Sequence, residues 1–182
     1  MAPTCLEIED ALTAAQCDSI IGLAQGGPMH PAPVYNAGDH VIDPRTRDVL
    51  LCLRGRDRET DWLYERIDVL FAAAAPAFDL RVAPMSDRIQ ILRYDAGGHF
   101  QTWHTDSGTD AQATRLLSIS IELSDPADYG GGLLEIAPGR IGRPRSLGRG
   151  GACIFPSRAL HRVSPVIRGI RWSLVNWTGP AP

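Results

Sequence analysis

Phe100-Gln101-Thr102-Trp103-His104-Thr105-Asp106 is the stretch on which the reading of this chain turns. The flanking sequence reads as strand, and alternate side chains of a strand point to the same face. His104 and Asp106 can therefore reach one metal ion together while Thr105 points away. Two imidazoles and one carboxylate make the ligand set that binds non-haem Fe(II) and leaves other positions open. The second imidazole has to arrive from another strand. His161 lies 55 residues beyond Asp106, follows Phe155-Pro156-Ser157 and opens such a strand. A closed β-fold brings two distant strands side by side.

The surrounding chain supports that architecture. From Asp87 onward the sequence is β-rich, with expected strands Arg88–Tyr94, Phe100–Asp106, Arg115–Leu123, Leu133–Ile136, Ala152–Phe155, His161–Val166 and Arg171–Trp177, punctuated by Gly and Pro. Before it, Thr13-Ala14-Ala15-Gln16 has the form of a capping box and opens a helix to about Gln25, stopped by Gly26-Gly27-Pro28. Residues 26–47 read as a long loop of the kind that forms binding loops or lids. Val49–Leu53 reads as a strand. Asp61 caps a second helix with Trp62, Ile67, Leu70 and Phe71 toward the core, ending before Pro76. The expected fold is mainly β with N-terminal helices, in a single domain over 1–182: helical support over about 1–80 and a β-sandwich or barrel over about 81–180.

Composition narrows the chemistry. The chain has 182 residues, 44% hydrophobic and 21% charged, enough for one buried core. A net charge of −3 gives no electrostatic footprint for nucleic acid. No apolar run approaches the length of a membrane span, and Met1 to Asp10 lacks the pattern of a signal peptide. Cys5, Cys17, Cys52 and Cys153 are scattered, which fits free thiols in a reducing cytoplasm. All 18 basic residues are arginine. Without lysine there is no Schiff-base chemistry, and any permanent side-chain cation holding a substrate is an arginine.

Arg171 stands out for that reason. It interrupts the apolar strand Ile170-Arg171-Trp172-Ser173-Leu174-Val175, where a buried cation is costly unless paired with an anion. Arg171 and Ser173 share one face; Trp172 and Leu174 share the other. The arginine is read either as half of an internal salt bridge to Asp or Glu, or as a bidentate clamp on a carboxylate ligand with the Ser173 hydroxyl as a second donor.

Several blocks occur in a telling order: Arg93-Tyr94-Asp95-Ala96-Gly97-Gly98-His99-Phe100 running into His104-Thr105-Asp106, then Leu117–Pro126, Gly131–Ile136, Phe155-Pro156-Ser157, His161–Val166 and Arg168–Leu174. Together they resemble the 2-oxoglutarate- and Fe(II)-dependent dioxygenases of the prolyl 4-hydroxylase type, nearest the bacterial PKHD-type hydroxylases, over about residues 45–180. The resemblance implies a double-stranded β-helix (jelly roll) with helices packed on one sheet. It implies Fe(II) held by His104, Asp106 and His161, and 2-oxoglutarate and O2 as co-substrates, with ascorbate as a reductant. Arg171 matches the residue that pairs with the distal carboxylate of 2-oxoglutarate, assisted by Ser173. Tyr94 matches a tyrosine contacting 2-oxoglutarate; its other reading is a barrel-interior aromatic. The spacing from Tyr94 to His104 is one residue longer than in the prolyl hydroxylases proper, which points to a bulge before His104. Glu122 has no assignment, because an uncompensated carboxylate beside 2-oxoglutarate would be repulsive. Halogenases related to this family lack the ligating carboxylate, so Asp106 favours hydroxylation.

The implied reaction hydroxylates an unactivated C–H of an amino-acid or prolyl-like peptidyl substrate and releases succinate and CO2. Two other classes stay open: a jelly-roll binding module without catalysis, and a zinc hydrolase using the same ligands. Arg171 separates the last, since a hydrolase needs no clamp for a 2-oxo acid. The expected partner is a small-molecule, peptidyl or carrier-bound amino acid, with neither nucleic acid nor membrane. The segment 138–149 holds four arginines and no acid. It is read as a solvated hairpin, or as a surface for an anionic partner such as an acidic peptide, a phosphopantetheinyl carrier protein or a carboxylate-bearing small molecule. Gly130-Gly131-Gly132 is a turn into a strand rather than a phosphate loop, because no helix follows. The loops at 26–47 and 107–114 are expected at the iron's mouth; His99, Trp103 and Arg158 are read either as further lining residues or as scaffold.

Overall fold

The computed structural model describes residues 2–36, 39–85, 87–109, 112–137, 143–145 and 147–181. In order, the chain runs through β1 (Leu6–Ile8), α1 (Ala14–Gln25), β2 (His30–Pro31), β3 (Val34–Asn36), β4 (Asp39–Val41), β5 (Leu50–Arg54), α2 (Asp61–Ala74), a 3-10 turn (Ala75–Phe78), β6 (Ile89–Tyr94), β7 (Phe100–His104), β8 (Leu117–Glu122), β9 (Tyr129–Gly131), β10 (Leu134–Ile136), β11 (Arg143–Arg145), β12 (Ala152–Pro156), β13 (His161–Val163), β14 (Val166–Gly169) and β15 (Arg171–Thr178). A large antiparallel sheet has the order β1-β12-β8-β15-β6-β5-β2, and a small one the order β11-β10-β13-β7.

Strand alternation sorts the side chains of the large sheet into two layers. Ile89, Ile91, Ile119, Ile121, Trp172 and Leu174 join a core with Ile20 of α1 and Leu63, Ile67 and Phe71 of α2. Leu92, Tyr94, Cys153 and Phe155 join a second core with Leu134, Ile136 and Val163 of the small sheet. Helices thus cover the outer face and the small sheet covers the inner one, as expected for a jelly roll. Each large aliphatic side chain buried this way stabilises the fold by about 1.5–3 kcal/mol.

The first helix forms for the local reasons its sequence states. Thr13 Oγ1 accepts from the Gln16 N–H at 3.2 Å, and Gln16 Oε1 accepts from the Thr13 N–H at 2.9 Å. Cys17, Ile20 and Ala24 fall on one face and are buried. The second helix differs in detail. Its N-cap is Thr60, with Asp61 the first helical residue, where the carboxylate favours the helix dipole. Trp62 is only partly buried, whereas Leu63 and Tyr64 point inward.

Other segments depart further from expectation. The 26–47 loop contains β2 and the β3–β4 hairpin, whose register pairs Val34 with Val41. Alternation there was hidden among Gly, Pro and His. The strand expected over His161–Val166 is two strands, β13 and β14, broken at Ser164-Pro165. The strand expected to reach Asp106 ends at His104. Among the described residues, no helix is long and apolar enough to cross a membrane.

Candidate metal centre and its cavity

A cavity of about 390 Å³ opens between the two sheets. His104 closes β7 and His161 opens β13, and the antiparallel register sets these two residues directly opposite each other. Their ring centroids lie 4.2 Å apart. The pairing is irregular: His161 to Val163 on β13 spans the same stretch as Phe100 to His104 on β7. β7 thus carries two more residues than β13 over this stretch, a register shift at the place where a bulge was expected.

Asp106 reaches the pair by another route than strand alternation. Its backbone N–H donates to Ser157 O at 2.9 Å, which folds the chain after His104 back over β12's end. Its carboxylate Oδ2 accepts from Ser118 Oγ at 2.7 Å, and Ser118 Oγ lies 3.0 Å from Ser157 Oγ. One ligand atom from each of His104, Asp106 and His161 then falls within 4.8 Å of the others, a spacing that fits one metal ion. Nδ1 of His104 lies 2.9 Å from Thr102 O, and Nδ1 of His161 lies 3.0 Å from Ala159 O. With each Nδ1 protonated and donating to a carbonyl, each Nε2 presents a lone pair to the centre.

The electrostatics suit cation binding. Burial, reinforced by His161, brings the His104 pKa down to about 4, so its ring is neutral at neutral pH. Burial pushes the Asp106 carboxyl up, but His161, His104 and the Ser118 hydroxyl together hold it well below the usual carboxylate range. Burial also works against the charged form of His161, yet Asp106 outweighs it and raises that pKa. His161 Nε2 sits 3.4 Å from Asp106 Oδ2, so a proton there occupies the place a metal would take.

On the same cavity wall stand Arg171, Ser173 and Tyr94. The internal salt bridge expected of Arg171 is present here. Arg171 Nε donates to Glu122 Oε2 at 2.9 Å, an internal ion pair in which the two residues are 3% and 4% exposed. Burial works against the Arg171 cation, but Glu122, Tyr94 and Tyr129 outweigh it and keep it charged. Burial raises Glu122, with Arg171 opposing. Nη1 of Arg171 and Oγ of Ser173 are nevertheless buried without a partner. Unsatisfied buried donors are costly, so this wall fits an incoming anion. Tyr94 is buried in the inner core and lies under the Arg171 guanidinium, 5.2 Å from ring centroid to Cζ. Glu122 is paired with Arg171 through Oε2, while its Oε1 is buried without a partner.

Several functional neighbours escaped the sequence. Ser118 and Ser157 read as ordinary strand and turn residues. Phe100 stacks on His104 at 3.7 Å, and Arg47 lines the cavity with it. The loops on either side of the mouth are as expected: Pro33, Val34, Tyr35, Ser107, Gly108 and Gln112 line it. His99, Trp103 and Arg158 do not line it. His99 instead bridges to Asp48, and Trp103 lies against Arg162. Of the arginine-rich segment, residues 138–142 and 146 lie outside the described residues. Arg145 pairs with Glu7 at 2.7 Å and Arg149 with Asp18, so these two already have acidic partners.

The sequence profile of the 2OG-Fe(II) oxygenase superfamily matches residues 89–179. The chain belongs to that superfamily. A PKHD-type hydroxylase of Pseudomonas fluorescens is 38% identical over 175 residues, covering 76% of each chain. PKHD-type hydroxylases of two Synechococcus strains are 38% identical over 93 residues; these alignments take in 49% of this chain but only 41% of those proteins. A prolyl hydroxylase of Trichoplax adhaerens, solved with a peptide fragment of hypoxia inducible factor, superposes with a TM-score of 0.78 at 17% identity, covering 97% of this chain and 83% of that one. The structural likeness supports the double-stranded β-helix fold. Superfamily membership implies Fe(II), 2-oxoglutarate and O2. The neutral His104 imidazole, the ionised Asp106 and the unpartnered donors of Arg171 and Ser173 fit that set.

Proposed function

We propose that this 2OG-Fe(II) oxygenase chain is a hydroxylase acting on an unactivated C–H of an amino-acid or prolyl-like peptidyl substrate. His104, Asp106 and His161 would hold the iron, and Arg171, Ser173 and Tyr94 would hold the distal end of 2-oxoglutarate. One observation carries this reading: three ligand atoms converge on one side of the cavity while two unpartnered buried donors face it from β15. A zinc hydrolase would have no use for those donors.

Bound Fe(II) with 2-oxoglutarate and O2 would supply the oxidising power for C–H hydroxylation, one oxygen atom going to the substrate and the other to succinate with loss of CO2. The protein's part is placement. Thr102 O and Ala159 O fix the histidine tautomers. Ser118 and the Ser157 backbone fix Asp106. The apolar walls, Leu92, Leu134, Phe155 and Val163 among them, exclude water from the reacting centre. The carboxylate of Asp106 favours hydroxylation over halogenation, because as a ligand it would take the place that a halide needs. The peptide-bound structural neighbour and the PKHD-type relatives support an amino-acid or peptidyl substrate.

The test is anaerobic addition of Fe(II) and 2-oxoglutarate, followed by visible spectroscopy. A weak charge-transfer band of the chelate is expected, and succinate is expected to form once O2 and a prolyl substrate are admitted. Tight zinc with no such band in fully loaded protein would overturn the reading.

A further inference from the structure

Arg47 lies between β4 and β5, on the cavity wall. The charged side chains among the described lining residues are Arg47, Asp106, Arg115 and Arg171. Arg115 donates to Asp87 at 2.9 Å, and Arg171 is held by Glu122. Among the described residues no carboxylate forms an ion pair with Arg47, and Asp106 acts on it only at longer range. Arg47 Nη1 donates to Pro33 O at 3.0 Å, and its Nη2 to Gln90 Oε1 at 3.3 Å, both neutral acceptors. Its Nε is buried with no partner. The guanidinium lies 4.9 Å over the Phe100 ring, and Phe100 in turn stacks on His104. A guanidinium desolvated in this way, with a free donor, favours an anion in the cavity.

Strand register roots the two cations at different points of the cavity wall. Arg171 stands opposite Tyr94, and Val175 opposite Gln90, the residue that anchors Arg47. Four residues of strand at ~3.3 Å each separate the backbone at those two points by about 13 Å. Arg171 lies over Tyr94, whereas Arg47 lies over Phe100, which stacks on His104.

We propose that Arg47 recognises a carboxylate of the primary substrate, making that substrate a free amino acid or a chain with a free C-terminus. This rests on the proposed assignment of Arg171 to 2-oxoglutarate. Val34 and Tyr35 line the mouth beside Arg47 and offer apolar surface to the carbon skeleton of such an acid.

The experiment uses the whole chain loaded anaerobically with Fe(II) and 2-oxoglutarate. The charge-transfer band is confirmed first, which tests the underlying assignment by itself. A panel of L-amino acids, prolyl dipeptides with free C-termini and the carboxamide of each is then titrated at millimolar concentrations. Readouts are displacement of the band and heat of binding. At least one free acid is expected to bind, with its carboxamide about tenfold weaker or more. Arg47→Gln is expected to erase that acid preference, and Arg47→Lys to keep part of it; melting temperatures establish that both variants are folded. The amino-acid and dipeptide arms separate the two sources of the carboxylate. Carboxamides that bind as well as acids, a wild type that binds no acid of the panel, or an Arg47→Gln variant weakened only toward 2-oxoglutarate would each overturn the proposal. Calorimetry still reads the acid-to-amide difference if the band fails to form, so the two failures remain distinct.

Discussion

Arg171 and Glu122 form a buried ion pair at 2.9 Å between the adjacent strands β15 and β8, behind the wall of the cavity. Glu122 itself does not line the cavity, whereas Arg171 does. The carboxylate therefore fixes the guanidinium from behind and cancels much of its field, leaving Nη1 free. Two effects of opposite sign follow for Glu122→Gln. The amide keeps an acceptor for Nε but loses the charge, so the fold should weaken by about 1–3 kcal/mol in urea titrations. The freed cation should attract a dicarboxylate more strongly, lowering the apparent KM for 2-oxoglutarate. Arg171→Gln should raise that KM by about tenfold or more, with iron affinity retained. An unchanged KM in both variants would remove Arg171 from the co-substrate site.

The same pair predicts a pH dependence of stability. Burial raises the Glu122 carboxyl above its ordinary 4.5. The folded protein then retains a proton that the unfolded chain has released. The stability linked to this group is complete below 4.5, declines as pH rises through the raised value, and is flat above it. The difference in urea midpoint between wild type and Glu122→Gln isolates the effect, since the other carboxylates are common to both. That difference should shift in favour of Glu122→Gln as the pH is raised from 4.5. A constant difference would mean that the Arg171 attraction cancels the burial effect.

Ser118 should act on the metal without touching it. Its hydroxyl donates to Asp106 Oδ2 at 2.7 Å, and the side chain is buried beside Ser157. Ser118→Ala removes that orienting bond and leaves the three proposed ligands in place. Loss of a group that orients a ligand lowers metal affinity by about 10–100-fold. Competition with a chromogenic Fe(II) chelator should show that drop, while saturating iron restores turnover. Unaltered affinity would leave the backbone bond from Asp106 to Ser157 as sufficient support.

The fold was largely legible because its signals are local. The Thr13–Gln16 capping box, the stop at Gly26 and the alternation of Arg171, Ser173, Trp172 and Leu174 depend on neighbours within a few residues, and all appear as read. The triad was legible because His104-Thr105-Asp106 reads as strand and His161 opens another, and the resemblance assigns the three together. What stayed hidden depends on contacts distant in sequence. The backbone bond that places Asp106 comes from Ser157, and the partner of Arg171 lies 49 residues away at Glu122. Arg47 sits in a stretch whose composition suggests only loop. That no carboxylate among the described residues pairs with it shows only once the cavity wall is assembled.

Gly132 offers a test of how tightly the Arg171 stem is held. Its φ is +61°, and an added Cβ would lie 2.9 Å from both Arg171 Cδ and Val166 Cγ2. Alanine in that left-handed conformation costs about 1–2 kcal/mol by itself. Gly97 provides the control, because its φ is +95° and a Cβ there meets nothing within 4 Å. Gly97→Ala should therefore carry backbone strain alone and leave the KM for 2-oxoglutarate unchanged. Gly132→Ala should carry comparable strain and also push the Arg171 stem, which is buried and tied to Glu122, away from its position. The expected result is a higher KM for 2-oxoglutarate in Gly132→Ala than in Gly97→Ala, with both destabilised in thermal melts. Equal KM values in two folded variants would show that Arg171 adjusts freely, and that the ion pair with Glu122 does not fix its guanidinium.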